Sequence, residues 1–167
     1  MSASISPAIS PAISPARDRE LVITRVLDAP RELVFKAWTD AEHIAQWWGP
    51  KDFTVPFSRM NAEPGGEYRV CIRSGEGSDY WIRGVFREVV EPERLVFTWA
   101  WEDDDAKPGH ETLVTLTFES VDDRTLMTFR QAVFESVADR DDHEGGWTEC
   151  FVRLESYLAE THTTDND

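Results

Sequence analysis

The chain has 167 residues and a mass of 19.1 kDa, with 41% hydrophobic and 29% charged residues. That is one domain's length, enough to bury a sizeable core. Its 17 basic and 32 acidic residues give a formal net charge of −15, which lacks the basic footprint of a nucleic-acid binder and opposes docking on an anionic membrane. The seven Trp, nine Phe and three Tyr set it apart from disordered acidic chains.

The first 16 residues repeat Ile-Ser-Pro-Ala at 5–8, 9–12 and 13–16. Proline at every fourth position removes donors and excludes regular helix, so 1–19 reads as a disordered tail. Cys71 and Cys150 form neither a metal-spacing motif nor a disulfide framework and are expected as reduced thiols of a cytoplasmic protein. No run approaches a membrane span, and the start lacks the basic and apolar pattern of a signal peptide.

Glu20 to Leu27 reads as a strand. Pro30 fits the first turn of a helix with Leu33, Val34, Ala37 and Trp38 on its apolar face. Thr39 to Glu42 has the pattern of a capping box that opens a second short helix through Trp47, stopped by Gly49-Pro50. Strands are then expected over Phe53–Met60, Glu67–Arg73, Tyr80–Val90, Leu95–Trp101, a segment around Val114–Phe118, and Leu126–Val133. Turns at Pro64-Gly65-Gly66, Ser74–Gly77, Glu91–Glu93 and Asp122-Asp123 separate most of them, and Glu102–Gly109 reads as an acidic loop. The chain closes with a helix whose stripe is Trp147, Cys150, Phe151, Leu154, Tyr157 and Leu158. Asp139–Glu144 and Gly145-Gly146 read as an acidic loop and a close-approach turn before it, and 161–167 as a frayed end.

The expected fold is α+β: one curved antiparallel sheet of six to seven strands, two short helices and one long C-terminal helix, within a single domain over 20–160. A long amphipathic helix must bury its stripe in the concavity of such a sheet. The gap rarely closes completely, so an apolar cavity between sheet and helix is expected.

Several segments resemble one superfamily: Ala29–Asp40, Trp47-Trp48-Gly49-Pro50, Pro64–Tyr68, Gly84–Glu88, Pro92–Trp99, Thr125–Thr128 and Gly146-Trp147. In this order they resemble START/SRPBCC proteins, with the birch-pollen-allergen-like helix-grip fold. Within that group they are most similar to bacterial members related to the C-terminal domain of the activator of the 90-kDa heat-shock chaperone's ATPase. The resemblance implies the helix-grip fold and, most often, a hydrophobic small molecule held between sheet and long helix.

Strand parity nominates the cavity wall: Tyr68, Val70, Phe86, Phe97, Trp99, Leu116, Phe118, Met127, Phe129 and Gln131 from the sheet, facing Trp147, Cys150, Phe151 and Leu154 from the helix. Adjacent helical residues diverge by about 100°, so of Trp47 and Trp48 one is expected to anchor the helices. The other is expected at a cavity mouth or subunit contact. Gln131 needs partners if buried and is a candidate for a ligand's polar head. Arg69 and Arg83 are expected outside, paired with carboxylates.

No catalytic constellation emerges. His43, His110, His143 and His162 fall in separate segments without zinc spacing, no Gly-x-Ser-x-Gly occurs, and Cys150 lies on a buried stripe. No metal and no cofactor is expected. Three readings follow. The first is a non-catalytic carrier or sensor of a lipid-like or aromatic molecule. The second is a co-chaperone-like protein acting on the bacterial 90-kDa chaperone, and the third a cyclase-, aromatase- or hydrolase-like enzyme using Gln131 with Tyr68. Trp richness and the habit of such relatives add the expectation of a homodimer.

Overall fold

The computed structural model describes residues 16–166; the Ile-Ser-Pro-Ala tail, apart from Ala16, lies outside them. The last residues of the expected tail, Ala16–Arg19, form a single 3-10 turn. Strand β1 (Leu21–Leu27) leads into helices α1 (Arg31–Thr39) and α2 (Ala41–Trp47). Strands β2 (Thr54–Met60), β3 (Glu67–Arg73), β4 (Asp79–Val90), β5 (Arg94–Trp101), β6 (Thr112–Val121) and β7 (Arg124–Ala132) follow, and helix α3 (Val137–Asn166) closes the chain. The sheet order is β1-β7-β6-β5-β4-β3-β2, antiparallel throughout. Turns, and the longer 102–111 loop between β5 and β6, give the β2–β7 meander, and β1 joins across the far edge by pairing with β7. This is the expected helix-grip arrangement.

Period-2 patterning fixes the inner face. Leu21, Ile23 and Leu27 of β1 are buried, as are Val114, Leu116 and Phe118 of β6 and Met127, Phe129 and Gln131 of β7. Arg69 and Arg83 lie on the outer face and share one acceptor, Glu102, at 2.7 and 3.1 Å. The Arg69 guanidinium also sits 3.9 Å from the centre of the Trp81 ring.

The helices depart from the sequence reading in four places. Pro30 is the N-cap of α1, and the face it buries is Val34, Phe35, Ala37 and Trp38, with Leu33 only half-buried. The cap of α2 is Asp40, which accepts from the Glu42 amide at 2.8 Å. Thr39 instead donates back to the Phe35 carbonyl at 3.0 Å, so the expected capping box does not form. Trp47 and Trp48 are both buried. The 100° rule fails because Trp48 is already extended beyond the helix (φ −64°, ψ 147°) and Gly49 turns the chain at φ +97°.

The fourth departure is α3. Residues Asp139–Glu144 are its first turns rather than a loop, Gly145-Gly146 lie inside it, and the polar end read as frayed is helical to Asn166. Carboxylates at a helix start face its positive end. Ser136 Oγ accepts from the Asp139 amide at 3.1 Å, and Arg140 donates to Asp141 and Glu144 at 2.9 and 2.8 Å, so part of the run is neutralised.

One close approach fixes the centre of the sheet. Tyr68 is paired in register with Gly84 and lies across it to donate to the Thr98 carbonyl at 2.6 Å. A Cβ on Gly84 would meet that carbonyl oxygen at 1.9 Å and Tyr68 Cε1 at 2.5 Å. Gly84→Ala is therefore expected to destabilise by more than about 2 kcal/mol. Tyr68→Phe, which removes only the hydroxyl donor, should lose about 1 kcal/mol. Urea unfolding of both variants checks the order; equal losses would contradict the steric account.

Candidate ligand pocket

The aromatic core fills only part of the gap under α3. Trp38 of α1 packs on Trp47 at 4.7 Å between ring centres and on Trp147 and Phe151 of α3 at 6.0 and 6.1 Å. Phe129 of β7 completes this plug from the sheet, 4.8 Å from Trp147. Beyond it, toward the N-terminal half of α3, a cavity of about 400 Å³ remains. Its walls come from the 48–53 loop, the facing ends of β3, β4 and β5, and residues 139–150 of α3; no residue of β1, β6, β7 or α1 lines it.

Six rings run round this cavity: Phe53, Tyr80, Trp101, Trp99, Trp147 and Trp48. Successive ring centres are 6.0, 6.2, 4.8, 6.4 and 5.9 Å apart, so the rings touch as a hoop. Gly49 and Pro50 close the hoop between Trp48 and Phe53, and Ile72 and Ile82 add apolar surface. Trp48, Trp99 and Trp147 are buried, whereas Tyr80 and Trp101 are exposed and mark the mouth.

Two groups of hydrogen bonds hold the hoop in shape. Trp147 Nε1 donates to Gln131 Oε1 at 2.8 Å, Gln131 Nε2 donates to Thr112 Oγ1 at 2.8 Å, and Thr112 Oγ1 donates to the Trp99 carbonyl at 3.2 Å. This buried relay ties two of the rings together. Arg153 Nη1 donates to the carbonyls of Trp48, Gly49 and Pro50 at 3.2, 2.8 and 3.1 Å, pinning the loop to α3.

His143 also lines the cavity, edge-on to Trp99 at 4.9 Å and against Phe134 at 4.8 Å. Its Nδ1 lies 2.8 Å from the Asp139 carbonyl. A carbonyl only accepts, so Nδ1 carries the proton and Nε2 keeps a bare lone pair, buried without a partner. The indole N–H groups of Trp48 and Trp99 are likewise buried and unpaired. Burial holds the His143 pKa below its ordinary value, against the opposing pull of the Asp139 carbonyl and of the Asp139 and Asp142 carboxylates. Cys150 reaches the wall too, but burial pushes its thiol up to about 12, so it is no nucleophile.

The family model described as "Activator of Hsp90 ATPase homolog 1-like protein" matches residues 28–159. The chain belongs to this family. Among solved structures it is similar to the AHSA1 protein of Silicibacter pomeroyi at 28% identity, with 86% of this chain and 99% of that one covered and a TM-score of 0.79. A protein of Arthrobacter aurescens matches at 22% identity over 89% of this chain and 90% of that one, TM-score 0.78. One of Chromobacterium violaceum matches at 24% over 84% and 96%, TM-score 0.76. These last two speak for the fold alone. No curated protein matches the chain.

Within this Hsp90-activator-like fold, the sequence-nominated wall residues divide sharply. Trp48, Trp99, Trp147 and Cys150 line the cavity. Trp47, Tyr68, Val70, Phe86, Phe97, Leu116, Phe118, Met127, Phe129, Gln131, Phe151 and Leu154 are buried in the core and do not. Gln131 spends its amide on Trp147 and Thr112, and Tyr68 its hydroxyl on Thr98, so neither offers a polar group to a ligand. The lining residues that parity reasoning missed are Phe53, Ile72, Tyr80, Ile82, Trp101, Asp139, Asp142 and His143, together with Gly49, Pro50 and Gly146.

The histidine gives a pH signature. As pH falls through about 6.5, the ordinary value for the unfolded chain, the unfolded state takes up the proton while the folded state resists it. Stability from this group is full above that pH and declines below it until the lower, folded-state pKa is passed. Relative to His143→Phe, the wild type should lose unfolding free energy between about pH 7 and pH 5. A stability difference independent of pH, in denaturant titrations across that window, would contradict the buried neutral ring.

Proposed function

We propose that the chain binds an apolar small molecule in this pocket and acts as a carrier or sensor without a chemical step. One observation carries the reading. Gly146 sits in the interior of α3 on the cavity wall, and a Cβ built there would meet only Pro50 Cγ, at 3.8 Å. No backbone crosses it, so close approach does not require the glycine, although glycine inside a helix is worse than alanine by about 1 kcal/mol. What its missing side chain preserves is the cavity. An incompletely packed core has no reason to keep such a gap open.

The enzyme reading asks for a polar pair facing the ligand, and its candidates Gln131 and Tyr68 are engaged elsewhere. The co-chaperone reading rests on the family's description alone; stimulation of the bacterial 90-kDa chaperone's ATPase by the purified chain would support it. Two free buried thiols, Cys71 and Cys150, agree with a reducing compartment such as the cytoplasm.

Gly146→Leu is the direct test. The leucine fills the pocket from a position where its Cβ is accommodated, and it raises helix propensity. The thermal midpoint should stay equal or rise, while the affinity for the neutral fluorescent probe N-phenyl-1-naphthylamine falls at least about tenfold. Equal probe affinity in the two proteins would overturn the assignment of the site.

A further inference from the structure

The pocket's charge pattern narrows the class of ligand, on the reading that the pocket is a binding site. The six-ring hoop presents aromatic surface from nearly every side, and aromatic faces carry negative quadrupole charge. Two carboxylates, Asp139 and Asp142, stand on the wall beside His143, the first half-buried and the second exposed. Among the described residues neither carboxylate has an ion pair, and no lysine or arginine lines the cavity.

The two arginines of α3 are committed elsewhere. Arg140 donates to Asp141, to Glu144 and, at 3.0 Å, to the Glu20 carbonyl, while Arg153 is held by the three loop carbonyls behind the pocket. His143 is kept neutral by burial and adds a lone pair rather than a positive charge. An anionic ligand would find two like charges at the wall and no counter-ion. A neutral ligand would leave both carboxylates without a counter-charge. A compact organic cation matches both the rings and the acids.

We propose that the ligand is an organic cation: a quaternary or protonated amine on an apolar body, with its charge among the rings and Asp139 and Asp142 at its outer side. The cation would gain from desolvated ring faces what a neutral isostere of the same shape cannot. The carboxylates add attraction that weakens as salt is raised.

Calorimetric titration with three probes tests this: benzyltrimethylammonium, its neutral isostere neopentylbenzene, and the anion 3-phenylpropanoate. The cation should bind at least about tenfold more tightly than the isostere, and the anion weakest. The double variant Asp139→Asn/Asp142→Asn should weaken the cation severalfold and leave the isostere unchanged. Trp101→Leu, at the exposed mouth, should narrow the gap between the two. Equal affinity for cation and isostere, or preference for the anion, overturns the cation assignment and leaves the pocket standing. No binding of any probe, with the wild type folded, overturns both.

Discussion

Trp38 is the contact on which the rest of the molecule depends. Its ring touches Trp47 and Trp48 from the second helix and its cap, Phe97 and Phe129 from the sheet, and Trp147 and Phe151 from the long helix. Contacts of this kind are worth about 0.5–1.5 kcal/mol each beyond the area they bury. More important is where they lie. One indole joins all three helices to the sheet and fills the gap on the side of β6, β7 and α1. Once the plug is set, α3 is held off the remaining strand ends, and the space there stays open. The plug accepts an unpaired indole N–H at Trp38, which is unfavourable by about 1–3 kcal/mol.

The open half is maintained by local chemistry. The relay through Gln131 fixes Trp147 relative to Trp99, and Arg153 holds the 48–50 loop against the helix. Gly146 leaves out a side chain that would grow from α3 into the space. Each acts on a different wall. The outcome is a cavity rimmed by rings of defined position, which suits recognition by shape and by ring faces better than by many hydrogen bonds.

Much of this is legible in the sequence. Alternation in segments such as Glu67–Arg73 and Leu95–Trp101 defines strands and their inner faces, and the turns between them set an antiparallel meander. The cavity wall is less legible. Tyr68, Val70 and Ile72 share parity, yet only Ile72 lines the cavity, because the pocket sits at one end of the strands. Where a helix departs from a sheet is a tertiary quantity that no period-2 pattern contains. Asp139–Glu144 reads as a solvated loop from charge alone, but Ser136, Arg140 and the favourable field of a helix start make it helical, and so carry His143 to the wall. For Trp47-Trp48 the 100° argument does not apply, because the helix ends between them: both rings are buried, Trp47 in the core and Trp48 also on the cavity wall.

The central claim, that the hoop rather than the plug receives a ligand, is tested most directly by the indole N–H resonances of the seven tryptophans during titration with benzyl alcohol. The account predicts that Trp48, Trp99, Trp101 and Trp147 shift together along one saturable curve, while Trp38, Trp47 and Trp81 stay in place. Shifts centred on Trp38 and Trp47, or no saturable shift at any of the hoop tryptophans, would contradict it.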